Sequence, residues 1–356
     1  MTRVLEILIS LAIVAGLYLA LGLVLPSSRH LSEQVETNRK LTIVFDTVNS
    51  FRRFKDWNAV ALRDPRMQLT LSGPEEGVGA KLSYVSQERN IGSGSWEIVQ
   101  SQPNKMVGIR IQDETRGDNK RTAYFLRPTG RNNRNVEIIQ TYDVDYGWNI
   151  FGRYAGLYVT RHMGEDMKLS LARLVTTLAS VPNIDYRVQG SGMTPPKVVD
   201  RPEEDVLYVT AGAVERGNTQ IQTAINNNSE WIKRTIEANG LEAVGPVRIV
   251  TTELGSSTYN FDVMQVVRRK GGGAVGRVTI PAGAPVKYEH HVAGGRAVTT
   301  SFTGYMAGLE NVRNALRAWA ATHGYEIKDR AYEDYNSGVA GAFTENGKFD
   351  VYWPIK

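Results

Sequence analysis

Near the carboxyl end of the chain, Tyr332-Glu333-Asp334-Tyr335 sets a carboxylate between tyrosines on a predicted strand. A carboxylate held among aromatic faces is partly desolvated. It attracts an organic cation through its charge, and each well-placed ring adds about 1 to 2 kcal/mol of cation-π attraction. The same desolvation raises its pKa and would suit it to general acid or base work. The alternative is a solvated strand residue in a charged turn, beside Asp329, Arg330 and Asp334.

The other candidates for chemistry fall away on spacing. His290-His291 are neighbours on a predicted strand, so they point to opposite faces and cannot ligate one metal together. His30, His162 and His323 stand alone and the chain has no cysteine, which leaves no metal set, no disulfide and no thiol nucleophile. Gly271-Gly272-Gly273 lacks the Lys-Ser/Thr of a phosphate loop and reads as a connector. No G-x-S-x-G element occurs, so no catalytic residue is assigned and no cofactor is expected.

The 356 residues are 42% hydrophobic and 22% charged, enough apolar material for about two domains. The formal charge of +5 arises from interspersed Arg and Glu, which describes a solvated surface rather than a nucleic-acid footprint. From Val4 to Leu25 the chain is apolar except for Glu6, and Pro26 closes the run. At about 1.5 Å per residue this crosses a hydrocarbon core of roughly 30 Å. Leu23-Val24-Leu25-Pro26-Ser27-Ser28 is a poor cleavage site, so the reading is an uncleaved single-span anchor in a bacterial inner membrane. Arg3 and the amino terminus on one flank face Arg29, Arg39 and Lys40 on the other, so the flanking charges do not fix the orientation; the expected placement of the soluble part is outside the cytoplasm.

The elements that must position any site follow from periodicity. Leu41, Ile43 and Phe45 alternate as in a half-buried opening strand. From Gln68 to Val144, short β-rich runs separated by turns such as Ser72-Gly73-Pro74 and Gln102-Pro103-Asn104 predict an antiparallel meander. Met167, Leu171, Leu174 and Leu178 then form the apolar stripe of a long helix ending before Pro182. Residues 182–205, rich in Gly, Pro and charge, read as a linker. Beyond it an internal repeat emerges: Phe261-Asp262-Val263-Met264 returns as Phe349-Asp350-Val351-Tyr352, each downstream of an amphipathic helix that ends in Gly. The helices carry Ile221, Ile225, Ile232 and Ile236 in one copy and Leu309, Val312, Leu316 and Trp319 in the other. Two strand-helix-strand-strand copies can close one sheet with both helices on the same face.

The first soluble segment, 39–181, resembles the START and polyketide cyclase-like (SRPBCC) superfamily with its helix-grip fold. The resemblance rests on the opening strand leading to Phe51-Arg52-Arg53-Phe54-Lys55-Asp56-Trp57-Asn58, on Gly77-Val78-Gly79-Ala80-Lys81, on the Gly92 to Ile98 hairpin and on the last long helix. It implies a cavity for a lipid-like, sterol-like or polyketide ligand, with Trp57, Tyr84, Trp96, Phe125, Tyr142 and Trp148 as candidate lining residues. The bland alternative is that these rings simply fill the core.

The second segment, 206–356, resembles the GyrI-like effector-binding domain of multidrug-sensing regulators. The matches are Gly304-Tyr305, Leu309, Ala318-Trp319 to His323-Gly324, Glu333-Asp334-Tyr335 and the closing strand Phe349 to Ile355. Phe302 departs from the His that the family often carries there. The resemblance implies that Glu333 is the acid facing the groove, with Tyr335 beside it and Trp319, Tyr305 and Tyr208 contributing rings.

The expected architecture is therefore α+β: a transmembrane anchor (1–28), a helix-grip domain (39–181), a linker (182–205) and a duplicated GyrI-like domain (206–356). Its expected function is that of a membrane-anchored binder of a hydrophobic or amphipathic small molecule, cationic ones included. An enzyme, either cyclase-like or a hydrolase using Glu333, and a lipid-binding or lipid-transfer protein are the other readings.

Overall fold

The computed structural model describes residues 2–88, 91–188 and 190–356. It divides into two units, the first running to Asn183 and the second formed by Ile184–Ala321 with Tyr325–Lys356. Both are mixed α and β, each built on an antiparallel sheet, and the chain begins with an apolar helix.

That helix, α1 (Thr2–Val24), is long and apolar enough to cross a membrane, with a mean hydropathy of 2.6 and its side chains almost all exposed. The first sheet consists of β1 (Ser28–Thr37), β2 (Gln68–Ser72), β3 (Lys81–Val85), β4 (Ser93–Gln102), β5 (Met106–Asp113), β6 (Asp118–Thr129) and β7 (Asn135–Asp145). Its order is β1-β7-β6-β5-β4-β3-β2, a meander whose last strand returns to the first. Short helices α2 (Leu41–Val48), α3 (Phe54–Trp57) and α4 (Ala59–Arg63) precede β2, and α5 (Ile150–Ala155) and α6 (Val159–Ala179) follow β7. Alternation along β7 buries Val136, Ile138, Gln140, Tyr142 and Val144. The α6 stripe of Met167, Leu171, Leu174 and Leu178 is buried as its period requires, against β1, β7, α3 and α4.

Two expectations are corrected here. Leu41 to Phe45 is not a strand but the start of α2, in which every residue from Thr42 to Val48 is buried. The alternation of Leu41, Ile43 and Phe45 was incidental to a run apolar on every side, and such a run suits a buried helix equally well. The opening strand is instead β1, within Ser28–Thr37, whose register runs from Ser28↔Asp145 to Thr37↔Val136. Its residues are mostly polar, because an edge strand is held by the backbone ladder more than by side-chain burial.

The N-cap of α4 gives one measurable consequence. Asn58 is buried and its side-chain oxygen accepts the Val60 backbone N–H at 3.0 Å. Asn58→Ala is expected to lower stability by about 1 to 2 kcal/mol in urea unfolding, whereas an unchanged midpoint would mean the cap carries nothing.

The second sheet contains β8 (Lys197–Asp200), β9 (Glu204–Glu215), β10 (Leu241–Leu254), β11 (Thr258–Arg269), β12 (Lys287–His291), β13 (Arg296–Thr303), β14 (Tyr332–Tyr335) and β15 (Lys348–Ile355). The helices are α7 (Asn218–Ala238), α8 (Leu309–Thr322) and the short α9 (Gly338–Ala342). The order β12-β9-β11-β10-β14-β15-β13-β8 places β9-α7-β10-β11 and β13-α8-β14-β15 as two equivalent halves. They meet where β10 pairs with β14, at Arg248↔Asp334, Ile249↔Glu333 and Val250↔Tyr332. Ile225 and Ile232 of α7 and Leu309, Val312 and Leu316 of α8 join one core with Phe261, Phe349 and Val351, so both helices cover the same face. On the other face Val206, Val250, Met264 and Tyr332 make a smaller cluster. The stretch read as a linker is partly sheet: β8 adds to β13 as an edge strand and β9 begins at Glu204. Gln189, within that stretch, lies outside the described residues.

Candidate functional site

β14 is only four residues long, but it lies beside the junction of the two halves and alternates faces. Glu333 and Tyr335 turn toward the helices and are fully buried, while Tyr332 and Asp334 turn away. Arg313 comes down from α8, one position beyond the buried Val312, and its Nη1 donates to Glu333 Oε1 at 2.7 Å and to Thr251 Oγ1 at 2.9 Å. Thr251 Oγ1 in turn lies 2.9 Å from the Tyr259 hydroxyl. Among the described residues Glu333 Oε2 has no hydrogen-bond partner.

Burial governs the titration of this cluster. It raises the Glu333 pKa against the opposing pull of Arg313. Desolvation works against the Arg313 charge as well, but the Glu333 carboxylate outweighs it and the guanidinium stays charged. Burial, reinforced by the negative charge of Glu333, pushes the Tyr259 hydroxyl up to about 12, and Tyr335 is raised further for the same first cause. Neither tyrosine ionises near neutrality, so both act as neutral hydroxyls.

Arg313 also forms part of the wall of a groove of about 600 Å³, with Thr251, Leu254, Arg317, Lys328 and Trp353. Glu333 lies beneath Arg313 and does not line the groove. Of the charges at its rim, Glu310 is paired with Arg216 at 3.1 Å and Arg330 with Asp262 at 2.7 Å, while Glu253, which accepts from Asn260 at 3.1 Å, and Asp329 have no ion-pair partner among the described residues. Arg317 and Lys328 have no ion-pair partner among the described residues. The groove therefore carries the positive charges of Arg317 and Lys328 together with the negative charges of Glu253 and Asp329, around an apolar patch of Leu254, Ile327 and Trp353.

The structure disperses several residues expected around Glu333. Tyr332 and Tyr208 lie on the opposite face of the sheet: Tyr332 is the strand neighbour of Glu333, and Tyr208 alternates with Leu207 and Val209 of β9, which take the helix side. There Tyr332 stacks on Tyr352 at 4.9 Å and carries the Arg248 guanidinium 4.4 Å from its centroid. Arg248 itself is bonded to Glu204 at 2.8 Å and Asp334 at 2.7 Å. Trp319 lies further along α8 with its ring stacked on Tyr325, and Tyr305 precedes α8 and accepts a hydrogen bond from Asn218. The residues brought to Glu333 are Tyr335, Tyr259, Thr251 and Arg313. The last three are invisible as a set in the sequence; the only signal is that Arg313 borders the apolar stripe of α8.

In the first unit Trp57, Tyr84, Trp96 and Tyr142 are buried inside the sheet. Phe125 is not among them: it is 37% exposed, since Tyr124 and Leu126 take the inward positions of β6. Trp148 is 84% exposed, outside the interior altogether. Phe54, absent from the candidate lining residues, interlocks the rings, with centroids 5.0 Å from Trp96 and 5.9 Å from both Trp57 and Phe51. Trp57 meets Tyr124 edge-on at 5.9 Å. Three buried atoms, Trp57 Nε1, the Tyr124 hydroxyl and Gln140 Oε1, have no partner among the described residues, and Tyr124 and Gln140 are directly opposed across β6 and β7.

No family model matches the chain, and no curated protein does. Among solved structures it is similar to EcmrR in a cryo-EM complex with DNA, at 16% identity and a TM-score of 0.37 over 58% of this chain and 70% of that one. It is similar to the EcmrR C-terminal domain at 17% identity and a TM-score of 0.37, over 46% of this chain and 97% of that domain. It is also similar to truncated norcoclaurine synthase from Thalictrum flavum at 13% identity and a TM-score of 0.33, over 43% and 94% respectively. Likenesses of this extent carry no functional conclusion for this chain.

Proposed function

We propose that the protein is a membrane-anchored binder of an amphipathic small molecule, joining a START-like helix-grip unit to a GyrI-like effector-binding unit. The observation that carries this reading is Arg313, which lines the groove and donates through Nη1 to the fully buried Glu333. Because Glu333 is covered by Arg313, it does not itself face a ligand in the groove. The exposed Arg317 and Lys328, set beside Glu253 and Asp329, suit the anionic group of a polar head, and Leu254, Ile327 and Trp353 suit an apolar tail. The same cover over Glu333 favours binding over acid-base catalysis, since a general acid must reach its substrate. The apolar α1 supports a ligand that partitions into membranes, by holding the groove close to its source.

The test uses the full chain in phospholipid nanodiscs and a dansyl-labelled fatty acid, read by energy transfer from tryptophan against empty nanodiscs. Arg317→Glu combined with Lys328→Glu removes exposed charge without touching the buried pair, and is expected to weaken binding roughly tenfold or more. Equal binding by wild type and variant, or tighter binding of a quaternary ammonium analogue, would overturn the proposed ligand class.

A further inference from the structure

We infer that the β7–α6 connection, from Trp148 to Tyr158, is a second membrane contact that seats the first unit in the bilayer interface beside α1. The inference rests on reading α1 as a span. Trp148 is 84% exposed, Phe151 62%, Leu157 49% and Tyr158 62%, a local concentration of large apolar side chains that a surface meant only for water avoids.

Their depth follows from what α5 touches. The Tyr154 ring stacks on Tyr18 of α1 at 4.3 Å, and its hydroxyl donates to the Tyr18 carbonyl at 2.7 Å. The Phe151 ring lies 6.0 Å from Tyr18. Gly22 is buried under Ile150, and a Cβ there would collide with Ile150 Cγ2. Arg153 donates through Nη1 to the carbonyls of Leu23 at 2.8 Å and Leu25 at 3.3 Å, groups left without intrahelical partners where α1 ends. Those bonds tie α5 to the last turns of α1.

The apolar stretch Arg3–Val24 has 22 residues, so nearly all of it is needed to cross roughly 30 Å. Tyr18 is then about 9 Å inside the end of the span at Val24. Whatever stacks on Tyr18 dips with it to the boundary between headgroups and acyl chains, the depth at which interfacial aromatics settle, roughly 5 to 10 Å in. Arg116, whose guanidinium stands 5.9 Å from the Phe151 centroid, is placed to meet lipid phosphate from the water side.

The chain has no cysteine, so single cysteines can be labelled cleanly. Bimane is attached to full-length Trp148→Cys, Phe151→Cys and Leu157→Cys in phosphatidylethanolamine–phosphatidylglycerol nanodiscs that carry nitroxide lipids at shallow or deep acyl positions. Arg131→Cys is the dry-land control: it lies in the turn at the far end of β7, roughly 30 to 36 Å from Asp145 by strand rise. Leu11→Cys reports the span itself. Shallow nitroxide is expected to quench the labels at 148, 151 and 157 about twofold or more while sparing 131, and deep nitroxide to quench the label at 11. If the three connection labels behave like 131 while 11 is quenched, the second contact is overturned and the span stands. Protection of those three labels by a second copy of the chain would give the same overturning result. If 11 is also unquenched, the span reading itself has failed.

Discussion

Replacing Arg313 with leucine is expected to lower the unfolding free energy of the second unit by about 3 to 5 kcal/mol near pH 8, because a buried carboxylate loses its one ionic partner among the described residues. The pH dependence identifies the cause. Burial already raises the Glu333 pKa above its ordinary 4.5, and removing Arg313 raises it further. The native state then binds a proton that the unfolded chain has released, so stability falls as pH rises from 4.5 through the folded pKa. Below 4.5 both states are protonated and the penalty disappears. Urea titrations of Arg313→Leu at several pH values, followed by fluorescence, should therefore show a deficit that narrows on acidification. Adding Glu333→Leu should restore much of the loss, since an ion pair replaced on both sides by apolar groups is often nearly neutral. A deficit independent of pH would show that Glu333 is not the uncompensated group.

Phe54→Ala in the first unit is expected to cost about 3 to 5 kcal/mol. Phe54 is 1% exposed and is enclosed by Phe51, Trp57 and Trp96, with Tyr124 behind Trp57. If these rings are interlocked core, truncation leaves a void that close-packed neighbours fill only in part. If instead they line an open ligand cavity, the ring has solvent on one side and its loss should cost less than about 1.5 kcal/mol. Phe54→Leu, which keeps most of the volume, should fall in between. The measurement thus separates a packed helix-grip interior from a ligand-holding one, and the aromatic geometry points to the packed case.

The α6 stripe was legible because Met167, Leu171, Leu174 and Leu178 repeat with the helical period, and the same holds for Ile221 to Ile236 on α7. The Phe-Asp repeat revealed the duplication, and its two copies take equivalent positions in one sheet as β11 and β15, on either side of the β10–β14 pair. β1 was missed because Ser28 to Thr37 carries no apolar alternation, its strand character coming from pairing with β7 rather than from its own side chains. α2 was mistaken for a strand because Ile43 and Val44 are both buried, and a doubly buried short run has no period to read. At the candidate site, strand alternation alone separates Tyr332 from Glu333, and that much was present in the sequence.

By itself the sequence determined the apolar amino-terminal helix, the α+β character of both units and the duplication, since each is written in spacing along the chain. Only the tertiary structure decided what Glu333 meets. Thr251 and Tyr259 lie on the β10–β11 hairpin, far along the chain from Arg313 and Glu333, and they converge because β10 pairs with β14 and α8 packs across that junction. Local periodicity encodes which face a residue takes within its own element. Which elements face each other depends on strand order and register, set by the burial of the whole core, and that is why an apparent cation site became a covered ion pair beneath a groove of mixed charge.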